Sequence, residues 1–247
     1  MNKFFKTILS AIAAITLTSG LTACNDSDSG VGTFTDTNIF TPQSSMTGVV
    51  LRFDKTSSVI PTNSDQILTA VPYLFNSEKQ LRALASYSYE VNADEPTMDT
   101  SGRLRAQVLA IDSICTTNAI VAPFSSANFD KGDSFNLNTN RYTFIADGFL
   151  NIHYEIYSDG TWNDRKNGSP DFILMADAEN PGNFELCYYP GSHKGSSVYS
   201  YVASFDISRV PGIQNVKNIT VRYNNNTLKF ELGENGIFGA TAPSSNS

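Results

Sequence analysis

From Asn218 to Leu232 the chain alternates apolar and polar side chains with a period of two, and this constrains its fold more than any other feature. Such a run buries its apolar face only as a half-buried strand. Ile219, Val221 and Tyr223 oppose Thr220 and Arg222, and Leu228, Phe230 and Leu232 oppose Lys229 and Glu231. Between them, Asn224, Asn225 and Asn226 tolerate left-handed backbone, which predicts a hairpin. The same period sets Tyr199, Tyr201, Ala203, Phe205 and Ile207 against Ser200, Ser204 and Asp206. Further strands are expected over 149–157, 172–176 and 184–189, separated by the turn-forming stretches SDGTWNDRKNGSPD, ENPG and YPGSHKG. Short strands at that spacing predict an antiparallel β-sandwich.

The first half is also β. VVLRF, QLRALASYSYEV and RLRAQVLAIDSICTT are candidate strands. In the last, Leu104, Ala106 and Val108 share one face while Ile111 falls on the other. A strand that changes its buried face carries a bulge or bend, a device that small coiled barrels need to close. The Pro-, Gly-, Ser- and Asp-containing stretch VAPFSSANFDKGDS separates the halves, with the boundary expected near residue 118. The tyrosines at 87, 89, 199, 201 and 223 fall on predicted core rows and read as packing.

The N-terminus reads as a secretory signal over residues 1–23. Lys3 and Lys6 precede a short apolar run from Ile8 to Leu17, too short to span a bilayer. It ends at Leu21-Thr22-Ala23-Cys24, which resembles a bacterial lipobox, whose cysteine is diacylated with fatty chains of the palmitate type. Several chains hold a protein stably at a membrane. Residues 24–44, poor in apolar side chains, are expected to be the acylated cysteine and a flexible tether. Asp26 and Asp28 look like the acidic surface-export signals of some Gram-negative lipoproteins.

Processing at Cys24 leaves 15 basic against 24 acidic residues, a net charge of −9 that repels phosphate backbones and disfavours nucleic acid. Of the three cysteines, Cys115 and Cys187 then remain, far apart in sequence. Two unpaired thiols are expected.

The ordered pieces resemble the NigD-like family of lipoproteins. QLRALASYSYEV, an acidic loop and then RLRAQVLAIDSICTT look like that family's N-terminal OB-like barrel. DGFLNIHYEIY looks like the opening strand of its C-terminal sandwich, and NFELCYYPGS, YVASFDIS and NVKNITVRYNNNTLKFEL look like the closing strands. The likeness covers roughly residues 45 to 232 and departs from the family pattern at DKTSSVIPTNSDQILTAVPYLFN. It implies an all-β chain with a small OB-like barrel over 45–118, an antiparallel β-sandwich over 119–232 and a flexible tail over 233–247. The family's name comes from a bacteriocin-associated gene cluster. The resemblance implies no catalytic residue.

Candidate contact residues are few. Asn151, His153 and Glu155 share the face opposite the row Leu150, Ile152, Tyr154 and Ile156. A histidine beside a carboxylate can move protons or join a metal site, but a solvated strand face has the same pattern, and metal sites want three protein ligands or more. His193, the second histidine, sits in a Gly-rich turn, and no GxSxG elbow accompanies any serine. Asp159, Asn163, Asp164, Asn167 and Asp171 supply oxygens without EF-hand spacing. Trp162 lies in the same polar loop, and Tyr189 sits on a polar row beside a turn. No cofactor and no metal are expected. The sequence therefore favours a non-enzymatic, lipid-anchored protein of the outer membrane and cell surface, contacting a glycan or an envelope protein. The alternatives are a hydrolase of envelope or host polymers and a bacteriocin-associated accessory or immunity protein.

Overall fold

Strand-forming segments account for most of the residues described by the computed structural model, which are 31–45, 48–53, 59–62, 82–92, 95–124, 133–139, 142–159, 172–190 and 194–244. In chain order the strands are β1 (Val31–Ser45), β2 (Gly48–Phe53), β3 (Val59–Pro61), β4 (Arg82–Asn92), β5 (Glu95–Pro96), β6 (Leu104–Asn118), β7 (Ile120–Ala122), β8 (Asn136–Asn138), β9 (Phe144–Ala146), β10 (Phe149–Ser158), β11 (Phe172–Asp177), β12 (Asn183–Tyr188), β13 (Ser197–Asp206), β14 (Asn218–Tyr223) and β15 (Asn226–Glu231). The only helical turns among the described residues are two short 3-10 turns, Ile213–Asn215 and Gly236–Phe238. The chain is all-β.

In the first half, the pairings run β4-β1-β2-β3-β6, and β6 also pairs with β4. The bulge implied by the slipping alternation is present. Tyr87 pairs with Val108 and Ser86 with Ala110, so Leu109 is the extra residue on β6. It points outward while Ala106 and Val108 are buried. Beyond the bulge the parity is reset, and Ile111 lies opposite the fully buried Ala85.

β1 is a correction. The composition of residues 24–44 predicts a tether, yet Val31–Ser45 is a strand paired along most of its length with β4 and β2. Val31, Thr33, Thr35, Thr37 and Ile39 are β-branched and favour a pleated surface without bringing much hydrophobicity.

The second half has two facing sheets. One contains β13, β10, β9 and β8, and the other has the order β15-β14-β12-β11-β7. Between them lies a core of Leu150, Ile152, Ile156, Leu174, Phe184, Leu186, Phe205, Ile219, Val221, Leu228 and Phe230, with others. Burying each such side chain is worth about 1.5–3 kcal/mol. The sandwich is not wholly antiparallel as expected. β12–β14 and β11–β7 pair in parallel, because the chain crosses to the other sheet between the partners. The predicted hairpin forms between β14 and β15, with Tyr223 opposite Asn226 and Asn224 at φ 48°.

Two features bind the parts together. The far end of β6, Cys115 to Asn118, pairs in parallel with Ala203 to Asp206 of β13, so the sheets of the two halves are continuous. A small core gathers at this junction from Ile39, Ile114, Tyr142, Phe144, Ala146 and Val202, and the fully buried Arg82 lies 4.2 Å over the Phe149 ring. The second feature is the C-terminal stretch, expected to be a flexible tail. Instead Ile237 is buried in the sandwich core, Thr241 exchanges both backbone hydrogen bonds with Ile145, and the Ser244 N–H donates to the Lys229 carbonyl. Ile237 and Phe238 alone, in a segment otherwise of small and polar residues, gave too weak a sequence signal for this docking.

Candidate functional site

The histidine-bearing face of β10 is built by register. Asn151 lies opposite Ser204, His153 opposite Val202 and Glu155 opposite Ser200. The expectation that this face meets solvent is overturned at its first two positions. Asn151 is 0% exposed and His153 3%. The junction core packs on this side of the sheet, so the polar groups satisfy one another. The Ser204 hydroxyl donates to the Asn151 carbonyl oxygen at 2.8 Å, and the His153 backbone N–H donates to the Thr143 hydroxyl at 3.0 Å. His153 Nε2 and the Ser200 hydroxyl are 2.7 Å apart, with the Tyr142 ring edge-on to the imidazole.

Burial lowers the His153 pKa, and the nearby Glu155 carboxylate opposes that shift, so the ring favours its neutral form. A histidine touching an exposed serine begins a nucleophilic arrangement. Here, though, the carboxylate, Glu155, is registered directly across from the serine, Ser200.

A second site was not legible in the sequence. On the outer face of the five-stranded sheet, Thr220 of β14 lies in register with Asn183 of β12, and Arg222 with Glu185, while Asp177 ends the neighbouring β11. With Phe124, just beyond β7, four of these residues (Asp177, Asn183, Thr220 and Arg222) line a cleft of about 310 Å³, near the lower end for ligand sites. The Arg222 guanidinium lies 5.1 Å from the Phe124 ring centroid, which holds the fork over an aromatic surface. Its ion-pair partner, Glu185, is at 3.6 Å, beyond hydrogen-bond range.

Asp177 anchors the floor of this cleft. Burial pushes its pKa up, but hydrogen bonds outweigh that effect and hold the carboxyl below its usual range. The donors are the Glu179 N–H, the Asn180 side chain and the backbone N–H groups of Phe124 and Asn180. The Phe124 contact ties the aromatic wall to the end of β11. These residues come from four separate stretches, so no spacing in the sequence announces them.

Tyr189 is half-buried just beyond β12. Cys24, Trp162 and His193 lie outside the described residues, as does most of the oxygen-rich loop. Cys187 is buried. Among the described residues, no three His, Cys, Asp or Glu side chains are grouped to hold a metal ion.

No protein-family model and no curated protein matches the chain in sequence. Its fold is shared with solved bacterial structures. A protein described as toxin-related from Parabacteroides distasonis is 21% identical, with 80% of this chain and 94% of that one covered at a TM-score of 0.56. A protein described as a lipoprotein from Bacteroides fragilis is 14% identical, with 85% and 96% covered at 0.50. A NigD-like immunity protein from Bacteroides caccae overlaps at 0.44 and 12% identity, with 85% and 91% covered.

Proposed function

We propose that this chain is a lipid-anchored envelope protein, displayed at the cell surface, that acts as a non-catalytic binding or accessory module. The lipobox at Cys24 supports the anchor. The fold shared with the Bacteroides fragilis protein described as a lipoprotein agrees with it. The cycle of pairings through β1, β2, β3, β6 and β4 supports reading the first half as an OB-like barrel, an architecture that presents binding faces.

The observation that carries the non-catalytic reading is the cleft beside Arg222. Hydrolysis by paired carboxylates needs one of them kept protonated near neutral pH. Asp177 is shifted the opposite way, and its oxygens already accept several hydrogen bonds. What remains is a polar and aromatic surface suited to holding a ligand.

Two measurements test this reading. Cells expressing the chain and fed an alkynyl palmitate analogue should label it, and Cys24→Ala should abolish the label. The purified chain, incubated with envelope polysaccharides, should release no reducing ends. An unlabelled native chain sinks the anchor, and released reducing ends sink the non-catalytic role.

A further inference from the structure

We propose that the cleft formed by Phe124, Asp177, Asn183, Thr220 and Arg222 binds a neutral saccharide, an assignment that rests on reading the chain as a binding module. The lining offers donors and acceptors side by side. Arg222 supplies a planar fork of N–H donors, the Asn183 amide both donates and accepts, and the Thr220 hydroxyl does the same. Vicinal hydroxyl groups on a sugar ring present the complementary pattern, each both donor and acceptor. Asn183 is exposed and Thr220 half-buried, in register on adjacent strands, so a ring laid across β12 and β14 meets both.

Charge decides between ligand classes. A carboxylate or phosphate approaching Arg222 also meets Asp177, held ionised on the floor, and Glu185 beside the guanidinium. A cation meets Arg222 itself. Neither sign finds a uniform field, whereas an uncharged polyol brings no charge to be desolvated between the opposed ones. The Phe124 ring, 5.1 Å from the guanidinium, backs the Arg222 fork and helps hold its donors toward the cleft. The volume, about 310 Å³, suits one or two rings rather than a long chain.

The test uses the full chain in detergent and saturation-transfer NMR against a panel. The panel contains glucose, galactose, mannose, N-acetylglucosamine and their β1,4- and α1,4-linked dimers, with glucuronic acid as the charged control. At least one neutral sugar should bind. Arg222→Ala and Asn183→Ala, both at exposed positions, should each weaken it about tenfold or more with the melting temperature unchanged. The assignment is overturned if no neutral sugar binds, if glucuronic acid alone binds, or if a neutral sugar binds both variants as well as it binds the native chain. None of these results touches the palmitate and reducing-end assays, so failure here and failure of the non-catalytic reading remain distinguishable.

Discussion

Ile114→Ala tests the claim that the two halves are one cooperative structure. Ile114 is 0% exposed and shares the junction core with Ile39 from β1, Val202 from β13, and Tyr142 and Phe144 from the segment leading through β9. Truncation removes about three carbon groups, worth about 2.4 kcal/mol in transfer alone, and a cavity term brings the expected loss to about 3–4 kcal/mol. The surroundings belong to different strands in two joined sheets, so they collapse poorly around the void. For a chain of this size the melting temperature should fall by about 6–16 °C. Calorimetry should show one transition that moves as a whole, and Phe230→Ala, deep in the sandwich core, should move the same transition. A loss under about 1 kcal/mol, or two transitions of which Ile114→Ala shifts only one, refutes the coupling.

Four further outcomes are expected. Because the folded pKa of His153 is depressed, its neutral form contributes stability that is fully present above about pH 6.5 and is lost as pH falls through the lowered value; His153→Gln should flatten this part of a denaturant-midpoint-versus-pH curve, and an unchanged slope refutes the burial argument. Asp99, held down by its hydrogen bond from Arg103, and Asp177 lose their contributions only at lower pH, as it falls below about 3.8. At Asn224, φ is 48° and the side chain donates to the Phe135 carbonyl at 2.6 Å; Asn224→Ala should cost about 1–2 kcal/mol by urea denaturation and Asn224→Gly less, and equal costs would remove the backbone part of the explanation. Cys187, 1% exposed, should react with a thiol reagent only after unfolding, and rapid labelling of the native chain at this position contradicts its burial.

Alternation made β10 to β15 legible because each has one face on a continuous core. It revealed even the bulge at Leu109, since an inserted residue must break the period. Polar residues on a buried second face were read wrongly. Asn151, His153, Ser204 and Asp206 look like a solvated row in one dimension, and only the junction core packed on that side of the sheet, with Tyr142 and Phe144, makes that row interior. A sequence records which residues share a face but not what covers it. β1 was missed for a related reason, since its threonines favour strand geometry without advertising burial. The cleft was invisible because Phe124, Asp177, Asn183 and Arg222 meet through parallel pairings across crossovers, where sequence distance carries no information.

The segment after β15 spans the seam of the sandwich, joining β9 on one side through Thr241 and β15 on the other through Ser244. Without this segment in place, the outer rim of β15 has an open carbonyl at Lys229 and the interior lacks Ile237. The undocked sandwich is therefore an unlatched shell whose bare strand rim invites pairing with other chains, and the seating of this one segment is what shuts it.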